Sequence, residues 1–165
     1  MKKIYGIFLV LVFALIIIMP MGIASADSGV EVSGEYVITV TGAECITSMC
    51  DQFVTTVGIS YESTYDGDLT GTAQECLFYG FSVNSETINS VGIKTFTGTV
   101  LGKEGTFTAY VRHQSLGNGN YKVEQTIISG TGELANIQGT LVFTATETDL
   151  GVWEGTYSGN VSFDS

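Results

Sequence analysis

Alternation of apolar and polar residues with a period of two runs through most of the chain after residue 27, while helical spacing is nearly absent. Glu31 to Thr41 is the clearest stretch: Val32, Tyr36, Ile38 and Val40 share one face, and Glu31, Ser33, Glu35, Thr39 and Thr41 the other. Phe53, Val57, Ile59 and Tyr61 form a second apolar stripe. Asp66-Gly67 then marks a hairpin turn into a third strand, about Asp68 to Phe81. The polar stretch from Ser82 to Lys94, with Asn84, Asn89 and Gly92, reads as a looser connection. Further strands are predicted over Thr95 to Leu101, Thr106 to Gln114, Tyr121 to Ile128, Gly139 to Thr146 and Trp153 to Phe163. One helical turn fits between Glu133 and Ile137. The dipeptide Gly-Thr recurs, at Gly71, Gly98, Gly105, Gly130, Gly139 and Gly155, where Gly serves bends and Thr suits strands.

Eight short antiparallel strands must hide their edges, and closure into a barrel does so completely. An all-β, eight-stranded antiparallel barrel is therefore expected, with a two-sheet β-sandwich as the alternative. A barrel of that size has an interior just large enough for side chains or one small ligand.

The N-terminus has a different character. Met1-Lys2-Lys3 precedes an apolar run from Ile4 to Met19, then Pro20, Gly22 and the small-x-small site Ala24-Ser25-Ala26. Residues 1–26 read as a signal peptide, and residues 27–165 as a single barrel domain. The apolar run is short for a membrane span, so contact with a membrane is expected only if the segment stays uncleaved. The expected location is secreted, periplasmic or cell-envelope. The chain is acidic, with a net charge of −11 that becomes −13 once Lys2 and Lys3 are lost. Nucleic acid is a poor partner for such a surface.

The stretch Phe96-Thr97-Gly98-Thr99, Gly105-Thr106-Phe107, His113, Gly130-Thr131-Gly132-Glu133-Leu134, Gly139-Thr140 and Phe143-Thr144-Ala145 resembles a prokaryotic family of small proteins of unknown function. That family has an allene oxide cyclase-like or dirigent-like β-barrel. The resemblance spans roughly Phe53 to Phe163 and implies a barrel with a central cavity. It implies neither cyclase activity nor catalytic residues, since fold does not carry function. Many family members are cytoplasmic, so the signal segment and the Cys-bearing first loop depart from the family pattern.

Strand parity selects the candidate site. His113, the only histidine, shares its parity with Phe107, Ala109 and Val111; Glu75 with Leu69, Leu77 and Tyr79; Gln125 with Tyr121, Val123 and Ile127. These three polar side chains, Glu75, His113 and Gln125, are the candidates for lining a ligand cavity. A histidine and a carboxylate in one apolar pocket could also move protons. The competing reading puts His113 at a solvated strand end and Glu75 on a parity-flipping bulge.

Cys45 and Cys50 fall in one predicted loop and are the candidate disulfide, which an exported protein permits. Counted from the Asp66-Gly67 turn, Cys76 faces Val57, which disfavours Cys50–Cys76 and leaves an outward thiol through which a homo-oligomer could form. Three cysteines and His113 lack a standard zinc spacing, and no metal is expected. No cofactor, phosphate-loop or hydrolase motif is present in the sequence, and Asp66-Gly67-Asp68 lacks the other ligands of a calcium loop. The leading expectation is an exported barrel that binds a small apolar or amphipathic ligand. A cofactor-free isomerase or cyclase, and a structural or interaction protein with a filled barrel, are the alternatives; an enzyme is the less favoured.

Overall fold

The structure, a computed structural model, describes residues 29–48, 55–81 and 88–163. Eight strands follow one another: β1 (Val30–Ser48), β2 (Thr55–Gly67), β3 (Leu69–Phe81), β4 (Ile88–Val100), β5 (Lys103–Gly117), β6 (Asn120–Gly132), β7 (Ile137–Asp149) and β8 (Val152–Phe163). Each pairs antiparallel with the next, and β1 pairs with β8, so the sheet closes into a barrel. The sandwich alternative is thereby excluded. The predicted helical turn is a run of tight turns, in which Leu134 N–H reaches Thr131 C=O and Ala135 N–H reaches Gly132 C=O. It drops Leu134, fully buried, into one end of the barrel.

Alternation does what it predicts on most strands. Val32, Tyr36 and Ile38 of β1, and Phe107, Ala109 and Val111 of β5, all point inward and are buried. On β2 the stripe holds for Tyr61 but not for Ile59, which is 39% exposed; Phe53 lies outside the described residues. The lower interior is filled by rings. Tyr36 meets Phe143 edge-on at 4.9 Å, Tyr65 meets Phe96 at 5.4 Å, and Phe96 stacks on Phe107 at 4.7 Å. Tyr157 ties this end shut: its hydroxyl accepts from Leu69 N–H at 2.7 Å and lies 3.3 Å from the Asp66 carbonyl. The hairpins β1–β2, β3–β4, β5–β6 and β7–β8 meet at the opposite end.

Two expectations are corrected. The stretch read as a loose connection is strand from Ile88 onward. The disulfide is Cys45–Cys76, not Cys45–Cys50. Its reason is register: the β2–β3 ladder ends at Tyr65–Gly71, so the connection is longer than a two-residue turn and Cys76 faces Ser60 rather than Val57. Cys45 pairs with Gly58 on the same strand β2. The two cysteines thus flank β2, and the bridge crosses it at Gly58. A Cβ at Gly58 would stand 3.1 Å from Cys76 Sγ and collide with the Leu77 carbonyl. With Cys76 bonded to Cys45, the route to an oligomer through a free Cys76 is closed. Cys50 lies outside the described residues, as do residues 1–26, read from the sequence as a signal peptide.

The bridge closes a loop with a sequence separation of 31. Chain-entropy loss in the unfolded state then predicts about 3–4 kcal/mol of stabilisation. Denaturant unfolding of the Cys45→Ser/Cys76→Ser pair should show that loss, and Cys50→Ser should leave the bridge intact in a non-reducing peptide map. A Cys45–Cys50 peptide would contradict the register.

Candidate functional site

The site is built by three neighbouring strands. On β3 and β4, Glu75 and Lys94 are directly opposite each other, and on β4 and β5, Ser90 faces His113. All four side chains point inward and are buried. Gly92, between Ser90 and Lys94 on the same face, carries no side chain; a Cβ there would meet Leu77 Cδ2 at 2.8 Å. His113 reaches across β4 to Glu75.

Glu75 is held from both sides. His113 Nε2 lies 2.7 Å from its Oε1, and Lys94 Nζ lies 2.8 Å from its Oε2. Lys94, 1% exposed, also donates to the Tyr65 hydroxyl at 2.9 Å and sits 5.3 Å from the centre of the Phe143 ring. An ammonium group has three protons, and a carboxylate, a phenol and an aromatic face account for them. Burial by itself would push the Glu75 carboxyl up; the charge of Lys94 and then the neighbouring His113, with the hydrogen bonds from both, outweigh it and hold the pKa at about 2. Burial likewise works against the Lys94 charge, but Glu75 and Tyr65 hold it above its ordinary range. Both groups are therefore ionised, and their charges cancel.

An ionised carboxylate only accepts, so the ring nitrogen facing it must donate. Glu75 thus fixes the neutral His113 ring as the Nε2–H tautomer. Nδ1 is left as an acceptor, without a partner among the described residues.

His113 also lines a cavity of about 60 Å³ at the end where the four hairpins meet. Ile38, Leu77, Val123 and Ala145 give it aliphatic walls, and Tyr36, Tyr61, Tyr121 and Trp153 aromatic ones. Ser90 and His113 are its other polar members. The volume exceeds the minimum of about 10–15 Å³ for one water and is well below the ~300–1,000 Å³ of a drug-sized site. Two lining residues hold unpartnered buried polar atoms, the Tyr36 hydroxyl and Trp153 Nε1. Burial pushes the Tyr36 hydroxyl well above the usual phenol range, so it remains a donor.

Of the three sequence candidates, Glu75 and His113 are brought into contact. Neither the solvated strand end nor the parity flip holds: His113 is 8% exposed and Glu75 2%. Gln125 is buried on β6, but its amide nitrogen and oxygen have no partner, and it is not part of the cavity wall. Ser90 and Lys94 were missed, because they fall in the stretch read as a loose connection; Tyr36 was placed on the inward face of β1, and neither it nor Trp153 was named as a site candidate. No group of three or more metal-ligating side chains occurs among the described residues.

Removing one member of the buried ion pair strands the other. Lys94→Met should cost about 3–5 kcal/mol in denaturant unfolding, and Glu75→Leu combined with Lys94→Met should recover much of it. The pH dependence has a defined sign. A carboxyl depressed on folding contributes stability that is present above its ordinary pKa, 4.5, and is lost as pH falls through about 2. The remaining carboxylates repel one another when ionised, so the readout is a difference. Between pH 5 and 2 the wild type should lose stability relative to Glu75→Gln; parallel curves would show that folding does not hold the Glu75 carboxyl below its ordinary range.

A solved structure of a protein of unknown function from the DUF3224 family, from Shewanella oneidensis MR-1, superposes with a TM-score of 0.58. The match has 16% identity and covers 83% of this chain and 99% of that one, so it speaks to the fold alone. No curated protein matches the chain. The family model described as protein of unknown function (DUF3224) matches residues 32–153, from the start of β1 to the start of β8. The chain belongs to the DUF3224 family.

Proposed function

We propose that this protein is an exported barrel that binds a small, largely apolar ligand through the hairpin end. The observation that carries the reading is the cavity there: aliphatic and aromatic walls, Ser90 among them, and a histidine anchored from behind by Glu75. Such a mixture, mostly apolar with a few placed polar groups, is what small-molecule sites use. A merely filled barrel would have no need of it: buried ion pairs are often replaceable by apolar residues without loss of stability. In this reading the pair is retained because it orients His113. Export is supported by the leader-like segment, Met1 to Ala26, and by the Cys45–Cys76 bridge, which suits an oxidising compartment.

One observation favours a second reading, a cofactor-free isomerase. A carboxylate that fixes the tautomer of a histidine leaves Nδ1 able to take a proton from a bound substrate. The small cavity volume makes binding the better-supported of the two.

Native mass spectrometry of the exported protein, purified without detergent and then denatured, tests the binding reading. A small molecule should be released from the wild type and be absent from Ala145→Phe, whose ring fills the cavity. A wild type that never carries a ligand, together with no change in any spectrum on adding small apolar probes, would overturn the reading.

A further inference from the structure

Carboxylates are spread over most of the barrel wall but leave out one sector of it. The strands β1, β2, β6, β7 and β8 each present exposed ones, Glu35, Glu62, Glu124, Glu147 and Glu154 among them. Among the described residues, the outward positions of β3 and β4 carry no charge, and those of β5 carry only Glu104 and Arg112. Lys103, at the start of β5, turns to the Phe163 ring at 5.1 Å. Between Glu104 and Arg112 the three strands meet in uncharged rows: Thr72, Thr97 and Thr106 stand opposite one another, as do Gln74, Thr95 and Thr108.

Exposed apolar side chains gather on the same sector. Ile93 is directly opposite Tyr110, and Val91 lies two residues along β4. Tyr110 is 55% exposed and Val91 49%. Ile128, 45% exposed, is the extra residue where the β5–β6 pairing shifts register beside Thr108. Neighbouring exposed apolar residues mark an interaction surface in a way that scattered ones do not.

The two charges decide what this face fits. Glu104 and Arg112 lie four residues to either side of Thr108, roughly 27 Å apart along the strand. At the Arg112 end, Lys122 and Glu124 pair with each other at 2.9 Å, which leaves the charge of Arg112 standing. At the other end Glu133 adds to Glu104, whose backbone N–H donates to the Glu133 carboxylate at 2.9 Å. The face is thus positive at one end, negative at the other, and uncharged between. Turned end for end, it is complementary to itself. Repulsion between two copies, each with a net charge of −11, is least across the sector that lacks carboxylates.

We propose that the β3–β5 face docks a second copy of this chain. The two sheets pack face to face with β5 running antiparallel to β5, Thr108 over Thr108, and the Arg112 of each copy against the Glu104 of the other. Tyr110 then lies over Thr106 of the second copy, and Ile128 lies near the centre. Three strands about 4.8 Å apart and roughly 27 Å long offer about 400 Å². That is about half of the ~800 Å² that each partner gives to a stable interface, so the dimer is weak and depends on concentration. The contact is on the barrel wall and leaves the hairpin end uncovered, so it does not rest on the ligand-binding reading.

Sedimentation velocity of the exported protein, from micromolar to millimolar concentration, tests the proposal. The wild type should pass from monomer to dimer. Arg112→Glu and Glu104→Arg should each weaken the dimer roughly tenfold or more, and both in one chain should restore it, because opposite charges meet again. Tyr110→Glu should stay monomeric throughout. The three positions are exposed, so the circular dichroism of each variant should match that of the wild type. A wild type that is monomeric at every concentration would overturn self-association and leave the face to a partner of another kind. A dimer that none of the variants disturbs would place the contact elsewhere on the barrel. Single variants that the double swap does not rescue would overturn the antiparallel arrangement.

Discussion

A carboxylate at the centre of a barrel, out of reach of water, must be compensated, and the site depends on how Glu75 is. Leaving it charged and unpaired would cost several kcal/mol, and leaving it protonated would forfeit the ion pair. The sheet solves this with one cation from the adjacent strand, Lys94, and one ring from the strand beyond, His113. The same two contacts set everything downstream. Lys94 is committed to Glu75, Tyr65 and the Phe143 face, so it is not available as a nucleophile. His113 is turned by its bond to Glu75 and lines the cavity.

The barrel divides into two ends with different physical characters. At one, Tyr157, Leu134 and the ring cluster of Tyr65, Phe96, Phe107 and Phe143 leave little space. At the other, Ala145 and Ser90 are small and Gly92 has no side chain, which leaves the cavity beneath Trp153, whose ring contacts Tyr61 and Tyr121. The charged group sits between them. It separates packing from cavity, and its ionised members lie on the closed side while His113 borders the open one.

Much of the architecture was legible because alternation and closure are strong constraints. Strand parity also found Glu75, His113 and Gln125 as inward-facing residues. Lys94 escaped it because β4 inverts the usual pattern: Ser90, Gly92 and Lys94 face inward while Val91, 49% exposed, and Ile93 face out. A rule that sends apolar residues inside reads that stretch as a polar connection. Only the partner across the ladder, Glu75, explains a lysine there, and that partner lies on another strand. The disulfide escaped for a similar reason. Its pairing depends on the register of β2 against β3, and a connection longer than two residues moves that register by three positions. Parity survives a search of single strands; register and cross-strand charge do not.

The position of the proton on His113 tests this account most directly. Long-range proton–nitrogen correlation NMR of the single histidine reads it without any ligand. The neutral imidazole should carry its proton on Nε2, hydrogen-bonded to Glu75, with Nδ1 bare. In Glu75→Gln that preference should weaken. A neutral ring protonated on Nδ1 in the wild type would mean that Glu75 does not orient it, and the coupling between the buried ion pair and the cavity would fall.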